Sequence, residues 1–148
     1  MLGRLLASED TVSLTVLRIF LGLVIFPHGA QKVFGWFGGH GFSGTMDMFT
    51  NVMGIPYIFA LAAILAEFFG PLLLAAGLLT RLAALVVGTD IAVAAMLVHL
   101  PHGFFMNWGG KQAGEGFEYH ILVVGMSLAL VIAGGGKWSL DRLISRHS

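Results

Sequence analysis

The residues in this sequence best suited to chemistry sit where an apolar chain has least reason to place them. His28 and Lys32 fall in "VIFPHGAQKVFG", where an apolar run meets a proline, an imidazole and an ammonium within a few positions. His99, Glu118 and His120 fall in two later stretches, "HLPHGFF" and "GEGFEYHIL". Imidazole and ammonium groups donate hydrogen bonds to carbonyl oxygens, and carboxyl groups relay protons. Together they suit a small apolar ligand with polar oxygens, such as a quinone, which needs donors at its carbonyls and a proton route on reduction. No metal centre is expected. His99 and His102 flank Pro101, which spoils helical placement, and no third ligand has fixed spacing. They suit lining an interface or capping a helix end. Glu118 and His120, two apart, cannot share a helical face. The histidines permit haem, but no pair has a placement that argues for it.

The elements that would position these residues follow from composition. Of the 148 residues, 57% are hydrophobic and only 11% charged, with a mean hydropathy of +0.87. A soluble domain carries about 25% charged residues, so this surface is built for a bilayer. Eight basic residues balance eight acidic ones, which argues against a nucleic-acid partner. With no cysteine, dithiol exchange and thiolate-held iron–sulfur clusters are excluded. The apolar stretches predict an all-α membrane protein, one domain over residues 1–148. Its bundle has four transmembrane helices at about 12–34, 55–79, 82–100 and 117–134. A cleaved signal peptide fits poorly, because Arg18 interrupts the first apolar region and no small-residue cleavage site follows.

Arg4, Arg81, Lys137, Arg142 and Arg146 fall at the termini and in the link between helices two and three, whereas the other two connections hold only Lys32 and Lys111. The positive-inside bias then places both termini in the cytoplasm. Trp36, Tyr57, Trp108 and Tyr119 read as anchors at the outer interface, and Trp138 as one at the inner. The link at Thr80 and Arg81 makes helices two and three a tight hairpin. Phe42, Met46, Phe49 and Met53 recur at helical spacing and predict a short amphipathic helix in the first outer connection. Residues 101–116, rich in glycine, predict an irregular loop dipping back towards the bundle.

Arg18, Glu67 and Asp90 are enclosed by apolar sequence. Left unpaired at mid-membrane, the three would cost on the order of 10 kcal/mol, so they should face the bundle interior. Glu67 lies on a stripe with Ala60, Ala63, Gly70 and Gly77, and Arg18 on one with Gly22, Ile25, Gly29 and Lys32. The simplest pairing is Arg18 with Glu67. It requires the guanidinium to reach about one to two turns towards the outer side. Arg81 and Asp90 complete a candidate intramembrane charge network, although Asp90 has no evident basic partner at its depth. Such a network can serve registry alone or function.

In order along the chain, "LRIFLGLVIFPHGAQKVFG", "EFFGPLLLAAGLLTRLAAL", "HLPHGFFMNWGG", "GEGFEYHIL" and "GGGKWSLDRL" resemble the DoxX family of small bacterial four-helix membrane proteins. The matching positions include Arg18, Gly22, His28, Gly29, Lys32, Glu67, Gly77, Thr80, Arg81, His99, Glu118, His120, Gly136, Ser139 and Asp141. Phe69-Gly70-Pro71 departs from an expected Gly-Gly pair. The resemblance implies a multi-pass protein of the bacterial inner membrane, associated with redox systems as a membrane subunit beside a soluble oxidoreductase. It supplies no catalytic residue, and no self-sufficient catalytic motif is present, so whether the chain is itself an enzyme stays open. The expected function is therefore a redox-linked subunit whose outward-facing polar pocket holds a quinone or similar ligand through His28, Lys32, His99, Glu118 and His120. A small proton or solute channel, aided by homo-oligomerisation, and a non-catalytic anchor or assembly factor are the alternatives.

Overall fold

The computed structural model describes residue 6 and residues 8–145, so the predicted cytoplasmic markers Arg4 and Arg146 lie outside the described residues. Among the described residues the chain is helical, with no strand. Helix α1 spans Val12–Phe34 and runs unbroken through Pro27. Helix α2 spans Gly41–Asp47 and continues as a wider turn over Met48–Val52. Helix α3 spans Tyr57–Ala76, and α4 spans Thr80–Ala94 and extends through two irregular turns to His102. Helix α5 spans Glu118–Ala133 and α6 spans Leu140–Ser145.

Val12–Phe34, Tyr57–Ala76 and Thr80–His102 are each long and apolar enough to cross a membrane. Helix α5 is apolar but has 16 residues, about 24 Å of rise against a hydrocarbon core of about 30 Å. The bundle is apolar on the outside: Phe20, Leu23, Phe59, Leu122 and Ile132 are all exposed, which in water would be a large unsolvated patch. Helix ends differ from the predicted spans for local reasons. Helix α3 starts after Pro56 and stops at Gly77, whose φ of 68° lies in the left-handed region that ends helices. The α3–α4 turn is therefore residues 77–79, and Thr80 and Arg81 already belong to α4.

Helix α1 packs chiefly on α3 and α4 on α5, with α3 against α4. Two glycines set the α1–α3 distance. A Cβ on Gly29 would run into the Glu67 carbonyl and Phe68 Cα, and one on Gly22 would sit 2.7 Å from the Pro71 carbonyl oxygen. The backbones thus touch directly, as small residues allow in membrane helices. Their register places Gly29 beside Glu67 and Gly22 beside Pro71 and Ala75.

The two chain ends meet at one end of the bundle, here called the base. Glu9 N–H bonds to Ala133 O, Lys137 N–H bonds to Thr11 O, and Arg142 pairs with Asp10. The guanidinium of Arg18, 2% exposed, lies at its centre. Its Nε donates to Gly135 O at 2.7 Å, Nη1 to Leu74 O at 3.0 Å and to Ala75 O, and Nη2 to Trp138 O at 2.7 Å. One side chain thus ties α1 to the last turn of α3 and to the segment after α5. Asp141, also buried, accepts from Leu79 N–H at 2.6 Å and Thr80 N–H at 2.8 Å. It caps α4 as an N-terminal carboxylate does, and it holds Leu79 at a φ of 48°, where a branched side chain is strained.

At the opposite end, the mouth, α2 lies over the bundle with Met46 buried against Ala60 and Ile64, and Phe49 packed beside them. The 101–116 segment folds back on itself, with Phe117 N–H to Gly103 O and Glu118 N–H to Phe104 O.

Arg18→Lys keeps the charge but loses the planar fork that reaches carbonyls in several directions. Arg18→Lys and Arg18→Gln should each lower the stability of the detergent-purified protein by about 2–4 kcal/mol. Thermal unfolding should show the fall, and a lysine variant as stable as the parent would refute this role.

Candidate functional site

The polar residues of the sequence separate into two groups. Arg18 and Arg81 belong to the base, where Arg81 Nη1 donates to Val131 O at 2.7 Å. Lys32, Glu67 and Asp90 lie towards the mouth. The expected Arg18–Glu67 pair is not formed. The α1–α3 register puts Arg18 level with Gly77, where an added Cβ would sit 2.9 Å from its guanidinium carbon, and puts Lys32 level with Glu67. Lys32 Nζ instead meets Glu67 Oε2 at 2.5 Å, with the carboxylate side chain 8% exposed and the ammonium side chain 21%. Lys32 shares the Arg18 stripe about four turns further on, so matching depth as well as face would have selected it.

Asp90, on α4, lies near enough to Glu67 for the two carboxyl groups to act on each other. No hydrogen-bond donor of the described residues reaches its buried Oδ2.

Beside these groups is a cavity of about 220 Å³, lined by His28, Lys32, Glu67, His99, Glu115, Tyr119 and His120. The His99 and His120 rings lie 4.0 Å apart, and Tyr119 sits 5.4 Å from His120 and 6.4 Å from His28. Four of the five predicted ligand-holding residues therefore converge. Glu118 is the exception. Its Oε1 accepts the Met106 N–H at 2.9 Å, because it sits at the start of α5 where the 101–116 segment turns back. It holds that loop and lines the groove beside the cavity.

The loop in turn contributes Glu115 to the cavity, a residue without a helical pattern to mark it. Its backbone oxygen meets His99 Nδ1 at 2.9 Å, and its carboxylate accepts the Asn107 N–H at 2.6 Å. Tyr119 was expected as an interfacial anchor, but it turns inward with His120. Its hydroxyl and His120 Nδ1 are both buried without a hydrogen-bond partner. Trp36, Tyr57 and Trp108 at the mouth and Trp138 at the base are exposed. Among the described residues no group of three or more histidine and acidic side chains could hold a metal ion.

The DoxX family model matches residues 13–100, more than half of the chain. The chain belongs to the DoxX family. Its relatives span nearly the same length. An uncharacterised protein of Haemophilus influenzae is 32% identical over 91% of this chain and 85% of its own. The Escherichia coli inner membrane protein YqjF is 28% identical over 93% of this chain and 95% of its own. A Bacillus subtilis protein named "Putative oxidoreductase CatD" is 28% identical over 78% of this chain and 75% of its own. No solved structure matches the chain. The matched segment of this DoxX protein contains α1, α3 and α4, and with them Arg18, His28, Lys32, Glu67, Asp90 and His99. Tyr119 and His120 lie beyond it.

The Lys32–Glu67 contact can be read by a double-mutant cycle on thermal stability. Lys32→Gln and Glu67→Gln should each destabilise, and the double change should lose less than their sum by about 1–2 kcal/mol. Arg18→Gln combined with Glu67→Gln should be additive, since the two groups share no partner.

Proposed function

We propose that this DoxX protein is a four-span protein of the bacterial inner membrane with both termini cytoplasmic. In this reading its mouth cavity holds the headgroup of a quinone or similar small apolar ligand, and the protein works with a soluble oxidoreductase. The observation that carries the reading is the pair of unpartnered buried atoms, Tyr119 Oη and His120 Nδ1, on residues of one polar cavity. A buried polar atom without a partner costs about 1–3 kcal/mol, and a ligand whose oxygens reach these two would relieve that cost. His28, His99 and Lys32 supply further donors around the same space, and Glu67 lines it as well.

The size fits a headgroup rather than a whole ligand, for pockets that enclose complete small molecules run to about 300–1,000 Å³. An apolar groove of about 340 Å³ adjoins the cavity and shares Met106 and Tyr119 with it. Phe104, Trp108, Ile121 and Leu122 line this groove and are exposed, so a tail can leave towards lipid there. The cytoplasmic base rests on Arg81, Lys137 and Arg142, all at that end. The fourth span is α5, which with the Phe117 and Gly134 flanks approaches the hydrocarbon thickness. The name of the Bacillus relative agrees with a redox partner, and the absence of cysteine leaves electron transfer to bound groups or to that partner.

Protein purified in mild detergent should yield a stoichiometric quinone in its organic extract by mass spectrometry. His99→Ala and His120→Ala should lose it, while Glu118→Ala should act through the loop and weaken retention less. An extract with ordinary phospholipid alone would refute the quinone reading.

A further inference from the structure

The walls of the mouth cavity differ in how firmly they are held. Helices α1, α3, α4 and α5 supply most of the lining, and α1 and α3 touch backbone to backbone beside Glu67. The remaining wall, Met106 and Glu115, comes from the 101–116 segment. That segment closes on itself. Its stem is the pair of backbone bonds from Phe117 to Gly103 and from Glu118 to Phe104. Within it Asn107 and Gln112 are joined twice, Asn107 Nδ2 donating to Gln112 O at 3.1 Å and Gln112 N–H to Asn107 Oδ1 at 3.0 Å. A compact loop of this kind holds its own shape. It gives no side chain to either buried apolar cluster of the described residues, and of residues 101–116 Gly116 alone is buried.

A segment with its own hydrogen bonds and few buried apolar contacts opens as a unit with little loss of free energy. What holds this one over the cavity is polar. His99, at the end of the α4 span, meets the Glu115 carbonyl oxygen through Nδ1 at 2.9 Å. A carbonyl oxygen only accepts, so Nδ1 carries the hydrogen, in the neutral ring and the charged ring alike. Next to this bond the His102 ring lies against Gly114, where an added Cβ would come within 2.5 Å of Nε2. At the stem, Gly103 has φ 83° and ψ −171°, a conformation that belongs to glycine and leaves the backbone free to swing. We propose that the 101–116 segment is a lid on the mouth cavity, hinged at its stem and latched by the His99 imidazole on the Glu115 carbonyl. Its opening admits ligand from the water-facing side. The lid rests on reading the cavity as a ligand site, and not on that ligand being a quinone.

The chain has no cysteine, so one introduced thiol reports access. The whole protein in nanodiscs carries either Ala94→Cys on the cavity wall or Gly109→Cys in the loop, where nothing lies within 4 Å of an added Cβ. Each is reacted with a membrane-impermeant methanethiosulfonate, and the rates are read by mass spectrometry. Residue 94 should react about tenfold more slowly than residue 109. His99→Phe keeps a ring and loses the latch, and it should raise the rate at residue 94 about fivefold, the scale of one hydrogen bond. Gly114→Leu should do the same from outside the cavity wall by pushing the loop off His102. Gly114 is not among the left-handed glycines, so a side chain there tests space alone. Neither change should alter the rate at residue 109. Equal rates at residues 94 and 109 in the otherwise unchanged protein would overturn the lid without recourse to a latch variant. So would a rate at residue 94 that ignores both changes. The reagent is not a quinone, so a protein that retains no quinone still gives either answer.

Discussion

A guanidinium removed from water needs its donors satisfied, and the base of this protein is built around that need. Arg18 reaches carbonyl oxygens of Leu74, Ala75, Gly135 and Trp138. Leu74 and Ala75 lie in the last turn of α3, where carbonyl oxygens lose their intrahelical partners. The cation therefore does for the end of α3 what a C-terminal cap does elsewhere, and the same fork draws the segment after α5 beneath the bundle. Asp141 answers it from that segment by capping the start of α4. Opposite charges near opposite helix ends, both buried, complement the helix dipoles without touching each other.

With the base settled by backbone carbonyls, the charges near the mouth are released from a purely structural duty. Lys32 and Glu67 pair with each other, and with Asp90 they stand between a polar cavity and an apolar groove between α3 and α4. Glycine at positions 22 and 29 makes this possible, for only direct backbone contact brings the Lys32 ammonium within reach of Glu67. Packing and site chemistry thus rest on the same stripe of α1.

Much of this was legible in the sequence. The helical class and the stripe on α1 follow from hydropathy and from steps of three and four residues, and the placing of His28, Lys32, His99 and His120 at one end follows from the order of the spans. The partner of Glu67 was misread because a stripe defines a face and not a depth. The α1–α3 register is fixed by Gly22 and Gly29 meeting α3, which no periodicity in either helix alone reveals. Glu115 and the inward turn of Tyr119 escaped for a different reason. Both depend on how an irregular loop folds back, where Glu118 holds Met106 and His99 meets the Glu115 backbone. Loop geometry of this kind has no repeating pattern to read.

The reach of Arg18 has a consequence for biogenesis. Two of its carbonyl partners, Gly135 and Trp138, follow α5 in the chain. A ribosome feeding the membrane N-terminus first therefore delivers the cation long before half of its acceptors exist. During that interval the first helix must keep its guanidinium at the interface, where water or lipid phosphate can solvate it. The base closes only when the segment after α5 emerges. Insertion of the first span and completion of the fold are thus separate events, joined by one side chain that waits for the far end of the chain.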